Sequence, residues 1–240
     1  MKKLLFLRFA MGSLLLLGCG SQSINQQQEY RYEAGNPYGT GKWFMGREIA
    51  NVMGFEGMEW LDRPERAKEE NSSTLIRNMN IQPDDVIADI GAGSGYHVFK
   101  MAPMINKGQI YAVDIQEEML NEIQKKANNK GVQNVTLIKG GEKSANLPEN
   151  SVDKVLMVDV YHEFSFPKEM MASIKNALRP NGKIFLVEYR GEDPLIPILK
   201  VHKMTEKQAI KEMRAAGFQL KENIENLPWQ HCMVFVKKES

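Results

Sequence analysis

Val86-Ile87-Ala88-Asp89-Ile90-Gly91-Ala92-Gly93-Ser94-Gly95-Tyr96 is the stretch that decides the fold. A short apolar run suited to a strand enters a turn with glycine at every second position, and a helical pattern opens at Tyr96. Where the Cβ is missing a ligand can approach the backbone, and a helix N-terminus attracts an anionic group. A glycine-rich turn alone is weak evidence, but its context strengthens it. Asp114 closes the next apolar run, about 20 residues on, where a carboxylate can accept both hydroxyls of a ribose. The pair points to an adenosyl-type ligand lying across strand ends.

Working outward, apolar runs alternate with amphipathic helices, the pattern of βαβ units and a parallel sheet. Strands are predicted at Val86–Ile90, Gln109–Asp114, Val135–Lys139, Val152–Val158 and Gly182–Tyr189. Helices are predicted at Tyr96–Met104, Glu117–Lys130 and Pro167–Leu178, with a last one, Thr205–Ala216, capped by Thr205 and stopped by Gly217. Phe218–Asn223 and Gln230–Lys237 read as a closing hairpin. Upstream, Phe44, Ile49, Val52 and Met53 recur at helical spacing, and Pro64-Glu65-Arg66 opens a second helix running to about Met79. Residues 43–80 are therefore expected to be a helical extension acting as a lid, and 81–240 the catalytic-size domain. Residues 19–42, rich in glutamine, serine and glycine, read as a tether.

Composition narrows the function. Lys+Arg 31 against Asp+Glu 30 gives a net charge of +1 with no run of five or six like charges, so nucleic acid is not an expected partner. Cys19 and Cys232 are the only cysteines, which allows neither a zinc spacing nor a disulfide framework. Redox and metal chemistry recede, and no metal ligand is expected.

Charge also selects the nucleotide. A dinucleotide brings two negative phosphates to the turn, whereas S-adenosylmethionine brings a sulfonium, an ammonium and one carboxylate. Asp89 would repel the first and pair with the second. The spacing G-x-G-x-G departs from the dinucleotide G-x-G-x-x-G, because Tyr96 takes the sixth position. Over roughly residues 80 to 237 the chain resembles the class I S-adenosylmethionine-dependent methyltransferases. The resemblance implies a Rossmann-like α/β fold, a mostly parallel seven-stranded sheet of order 3-2-1-4-5-7-6 with its last strand antiparallel. It implies cofactor contacts from Asp89, Gly91, Ala92, Gly93, Gly95 and Asp114, with Ile115 beside it. Leu147 to Val155 and Leu178 to Lys183 resemble the family's approaches to strands four and five. The usual Asp-Ala pair for the adenine amino group is replaced by Gly140-Gly141-Glu142, which leaves Glu142 as the adenine contact.

Val158-Asp159-Val160-Tyr161-His162-Glu163-Phe164 ends strand four at the carboxyl edge of the sheet, where ligands of open α/β folds bind. Asp159 is placed beside the cofactor. Tyr161, His162 and Glu163 are the catalytic candidates, holding or deprotonating a small or medium-sized acceptor; the alternative is that His162 and Glu163 cap the next helix. The same two readings apply to His202. Arg63 or Arg66 could meet a carboxylate through a bidentate contact, or be solvated. The absence of Asn-Pro-Pro-Tyr after strand four disfavours adenine methylation in DNA, and the lack of clustered cysteines disfavours arsenic methylation. Two rival functions stand beside methyl transfer, a non-catalytic lipid-anchored nucleoside-binding protein and an NAD(P)-dependent oxidoreductase.

The first nineteen residues, with Lys2, Lys3 and Arg8 before an apolar run and Leu16-Leu17-Gly18-Cys19, resemble a bacterial lipoprotein signal. The resemblance implies cleavage before Cys19, a lipid on that thiol and a membrane-anchored place in the cell envelope. A start further downstream, at Met11 for example, would instead leave a cytoplasmic protein. The sequence does not fix the oligomeric state.

Overall fold

A computed structural model describes residues 30–238; the signal and Cys19 lie outside the described residues. Tyr30–Tyr32 (β1), Gly39–Phe44 (β2) and Arg47–Ala50 (β3) form an antiparallel sheet in the order β1-β2-β3. This corrects both the helix expected from Trp43 and part of the tether. Met45 (φ 49°) and Gly46 (φ 97°) make a two-residue turn between paired Phe44 and Arg47, and positive φ at both central residues matches the twist of the flanking strands. Lys42 and Phe44 are buried while Trp43 between them is less so, a period of two that helical spacing hid.

Met58–Leu61 (α1), Arg66–Glu69 (α2) and Ser72–Asn78 (α3) follow. The single helix expected from Pro64 to Met79 is broken at Asn71, whose φ of 52° is left-handed and whose side chain accepts from the Thr74 N–H at 3.3 Å. A side chain used as an N-cap starts a new helix rather than continuing the old one.

The main sheet comprises Val86–Ile90 (β4), Gln109–Asp114 (β5), Val135–Lys139 (β6), Val152–Val158 (β7), Leu178–Tyr189 (β8), Phe218–Asn223 (β9) and Gln230–Lys237 (β10). Its order is β6-β5-β4-β7-β8-β10-β9, parallel except for β10, which runs antiparallel to β8 and β9. The three leading strands account for the labels: counted from β4 as the first, the order reads 3-2-1-4-5-7-6. Val98–Met101 (α4), Glu117–Lys130 (α5), Pro167–Ala177 (α6) and Glu206–Ala215 (α7) complete the layers. Thr205 caps α7 by accepting from the Gln208 N–H at 3.1 Å, as its sequence predicts.

Alternate residues of the central strands feed two cores. Val155, Met157, Ile184, Leu186, Met233 and Phe235 pack on one face with Met170, Met171 and Ile174 of α6 and Met213 of α7. Leu156, Phe185, Val187, Cys232 and Val234 pack on the other with Leu75, Val98 and Ile123. Strands covered on both faces carry nearly unbroken apolar runs, which is why these were legible. β4 bonds to β5 on one side and β7 on the other. The chain order reverses there, opening a crevice at the carboxyl ends of the strands.

Candidate active site

The turn after β4 is left-handed at all three glycines: Gly91 φ 69°, Gly93 φ 54° and Gly95 φ 79°. A Cβ on Gly91 would stand 2.4 Å from Val160 Cγ2, and one on Gly93 2.7 Å from Leu61 Cδ1. The turn therefore needs glycine both for its torsions and for the segments closing on it. Asp114 braces it from the end of β5: Oδ2 accepts from the Gly93 N–H at 2.9 Å and Oδ1 from the Gln116 N–H at 2.8 Å. Burial raises the Asp114 pKa against those two N–H bonds, which pull it down.

Two further carboxyls each keep one buried oxygen unpartnered among the described residues, Asp89 Oδ2 and Asp159 Oδ1. Burial pushes Asp89 up to about 7, with Arg66 drawing it down and Asp114 pushing it up. Asp159 has a φ of 52°, and its Oδ2 accepts from Gln230 Nε2 at 2.6 Å. Its pKa stands well above the ordinary value because of burial and then the charges of Glu70 and Glu188. A buried unsatisfied acceptor is costly, and a cationic ligand placed beside it offsets that cost. The sulfonium and ammonium of S-adenosylmethionine are such cations, so these acidic groups fit that cofactor.

Next to the glycine turn, just after Val160, Tyr161–Glu163 forms a single 3-10 turn beyond β7. It does not cap α6, whose start has no side-chain cap. His162, 2% exposed, places Nδ1 2.6 Å from Glu188 Oε2, and its Nε2 lies 3.1 Å from His202 Nδ1. Because a carboxylate can only accept, Nδ1 carries the proton in that bond. Burial lowers the His162 pKa, but the charges of Glu188 and Glu163 outweigh it and hold it above the ordinary value. His202 is pushed down to about 4 by burial and by His162. Glu163 is raised to about 7, chiefly by burial, with His162 drawing it down. Its Oε1 accepts from the Met53 N–H at 3.2 Å. Beneath the turn, Arg47 donates to the His162 carbonyl at 2.9 Å while its fork grips Glu212 at 2.8 and 3.0 Å.

A cavity of about 530 Å³ joins the two halves. Gly91, Gly93, Asp114, Ile115, Glu142 and Asp159 line it together with His162, Glu163 and His202. Asp89, Ala92 and Gly95 stand behind the lining, and Tyr161 is buried in the core against Phe164, away from the cavity. Arg63 and Arg66 reach the cavity already paired: both bond Glu70, at 2.9 and 2.6 Å, and Tyr189 donates to the same carboxylate at 2.8 Å. Sequence reading missed Arg47, Glu70 and Glu188. Glu188 did leave a signal, a carboxylate inside the apolar run of β8, where a charge survives only with a partner.

Residues 81–233 match the family described as "Methyltransferase domain", which is more than half of the chain. Among curated relatives, the ubiquinone/menaquinone biosynthesis C-methyltransferase UbiE of Wigglesworthia glossinidia brevipalpis is 32% identical over 128 residues, 52% of this chain and 50% of that one. The uncharacterized methyltransferase YcgJ of Bacillus subtilis is 28% identical over 131 residues, 54% of this chain and 51% of that one. The chain thus spans about half the length of these relatives. A solved S-adenosylmethionine-dependent methyltransferase from Aquifex aeolicus shares the fold, with TM-score 0.72 and 23% identity, covering 77% of this chain and 98% of that one. These findings correct the envelope location expected from residues 1–19. The relatives are named for biosynthetic methylation or simply as methyltransferases, not as anchored proteins. No described helix is long and apolar enough to cross a membrane. Fold, glycine turn and family match converge: the chain belongs to the methyltransferase domain family.

Proposed function

We propose that the chain transfers the methyl group of S-adenosylmethionine to a small or medium-sized acceptor. The observation that carries this is that one continuous cavity joins the Gly91–Gly93 turn and Asp114 to His162 and Glu163. Asp114 receives the ribose hydroxyls, Ile115 and Glu142 flank the adenine, and Asp159 faces the positive charges, with Asp89 adding negative charge from behind the lining. The cofactor, when bound, supplies an electrophilic methyl on a cationic sulfur. Displacement at that carbon needs alignment above all, so the rest of the chain's work is positioning and exclusion of water. Residues 43–80 serve as the cover: Met53 is tied to Glu163 and Gln116, and Asp62 to Ser94 at 2.6 Å and Lys126 at 2.8 Å. His162 and Glu163 hold the acceptor. Exposed Tyr38, Val52, Trp60 and Leu199 at the rim favour an apolar one.

The oxidoreductase reading is disfavoured by the same acids, which repel a pyrophosphate. Calorimetry comparing S-adenosylhomocysteine with NAD tests the assignment directly. Binding of the first and not the second is expected; preference for NAD overturns it.

A further inference from the structure

The acceptor wall brings together three groups, of which the reading above uses His162 and Glu163 only to hold the acceptor and His202 not at all. Nε2 of His162 lies 3.1 Å from His202 Nδ1. Glu163 Oε1 lies 3.9 Å from the first and 3.8 Å from the second. These three atoms come from two separate segments, the turn after β7 and the turn Lys200–His202, and all lie within 4.8 Å of one another. We propose that His162, Glu163 and His202 form a binding site for a divalent transition-metal ion at the acceptor end of the cavity. The proposal rests on the functional reading above and deepens it.

Four physical features support it. Two nitrogens and one carboxylate oxygen are a donor set suited to zinc and its neighbours, which favour imidazole with a hard third ligand. An ion at about 2.05 Å from both nitrogens would subtend roughly 100° between them, within the range of tetrahedral and five-coordinate sites. Glu163 then has to swing in by only a few tenths of an ångström. Secondly, the Nδ1 of His162 is bound to Glu188, which is fully buried. A carboxylate on the far nitrogen fixes the tautomer that turns an Nε2 lone pair to a metal. Thirdly, Arg47 holds the His162 carbonyl from behind and so sets the turn that carries two of the ligands. Fourthly, all three residues line the cavity, so three protein ligands leave a position open toward the acceptor, the arrangement of catalytic rather than structural sites. The ligand taken there would be an oxygen donor on the acceptor, a phenol, enol or carboxylate.

The test uses the untagged full chain, stripped with a chelator and titrated with zinc by calorimetry and with cobalt(II) by visible absorption. One equivalent should bind, and cobalt(II) should show the intense d–d bands of a four- or five-coordinate site. His202→Ala and Glu163→Gln should each weaken zinc by at least about 100-fold, and Glu188→Gln by about 10–100-fold, while S-adenosylhomocysteine affinity stays within a few-fold. Circular dichroism and cofactor binding confirm that each variant is folded. No zinc binding, or zinc binding that survives His202→Ala, overturns the site and leaves a hydrogen-bonded histidine pair. If S-adenosylhomocysteine is bound in that case, the methyl-transfer reading stands without the metal; if it is not bound by the parent chain, that reading fails first.

Discussion

Asp89 converts burial into a pH dependence that can be measured. Its carboxyl is 2% exposed, one oxygen has no partner among the described residues, and its pKa lies at about 7. A cationic cofactor interacts favourably with the ionised form alone. The fraction ionised rises from about one-tenth at pH 6 to about nine-tenths at pH 8, so the Asp89-dependent part of the affinity should rise about tenfold, or ~1.4 kcal/mol, and level off above pH 8. Calorimetric titration of S-adenosylmethionine from pH 6 to pH 9 reads this, and Asp89→Asn isolates it. In the variant the rise should shrink by that tenfold factor, because the amide cannot ionise. Stability without ligand should move the other way. The folded-state pKa lies above the unfolded value of 3.8, so between roughly pH 4 and 7 the folded chain binds more protons. That contribution to stability is lost as pH rises through 7. Affinity that is flat with pH, or equally steep in Asp89→Asn, would refute the reasoning.

The remaining predictions concern neighbouring parts of the structure. Arg47→Ala leaves Glu212, whose side chain is fully buried, without its bidentate partner, and should cost about 3–5 kcal/mol in denaturant unfolding; a loss under 1 kcal/mol would mean that the pair is not formed in solution. Asn71→Ala removes an N-cap and puts alanine at a φ of 52°, so about 1–2 kcal/mol should be lost with little effect on cofactor affinity. If His162 also takes the acceptor's proton, His162→Gln should leave cofactor affinity nearly intact and, with an acceptor in hand, lower single-turnover methyl transfer by about 10²–10⁴-fold per folded molecule. A rate within a few-fold of the parent would remove His162 from the site.

What was legible in the sequence follows from physics. The Rossmann-like sheet could be read because β4, β5, β7, β8 and β10 are apolar on both faces and the intervening helices carry clear stops such as Gly131, with φ 65°. The glycine turn and its neighbour Asp114 could be picked out because the geometry that joins them is local, a turn and the end of the strand beside it. The residues ahead of the sheet could not. β2 and β3 mix buried Lys42 and Glu48 with apolar neighbours, which hides the period of two. Asn71 interrupts a helix by a torsion that composition does not announce. The acceptor wall was half visible: His162 and Glu163 stand together in the chain, but Glu188, Arg47 and His202 reach them only through folding. Tyr161 was misplaced for the complementary reason. In a one-turn helix its neighbours face the cavity while its own ring turns into the core.

The central claim is that the Gly91–Gly93 turn and Asp114 hold the adenosyl part of S-adenosylmethionine. Calorimetric titration of S-adenosylhomocysteine into the parent chain and into Asp114→Ala tests it most directly. The parent should bind one equivalent. The variant should bind about 5- to 150-fold more weakly, the ~1–3 kcal/mol expected for losing hydrogen bonds to a charged group. No binding by the parent, or equal binding by a folded Asp114→Ala, would contradict the account.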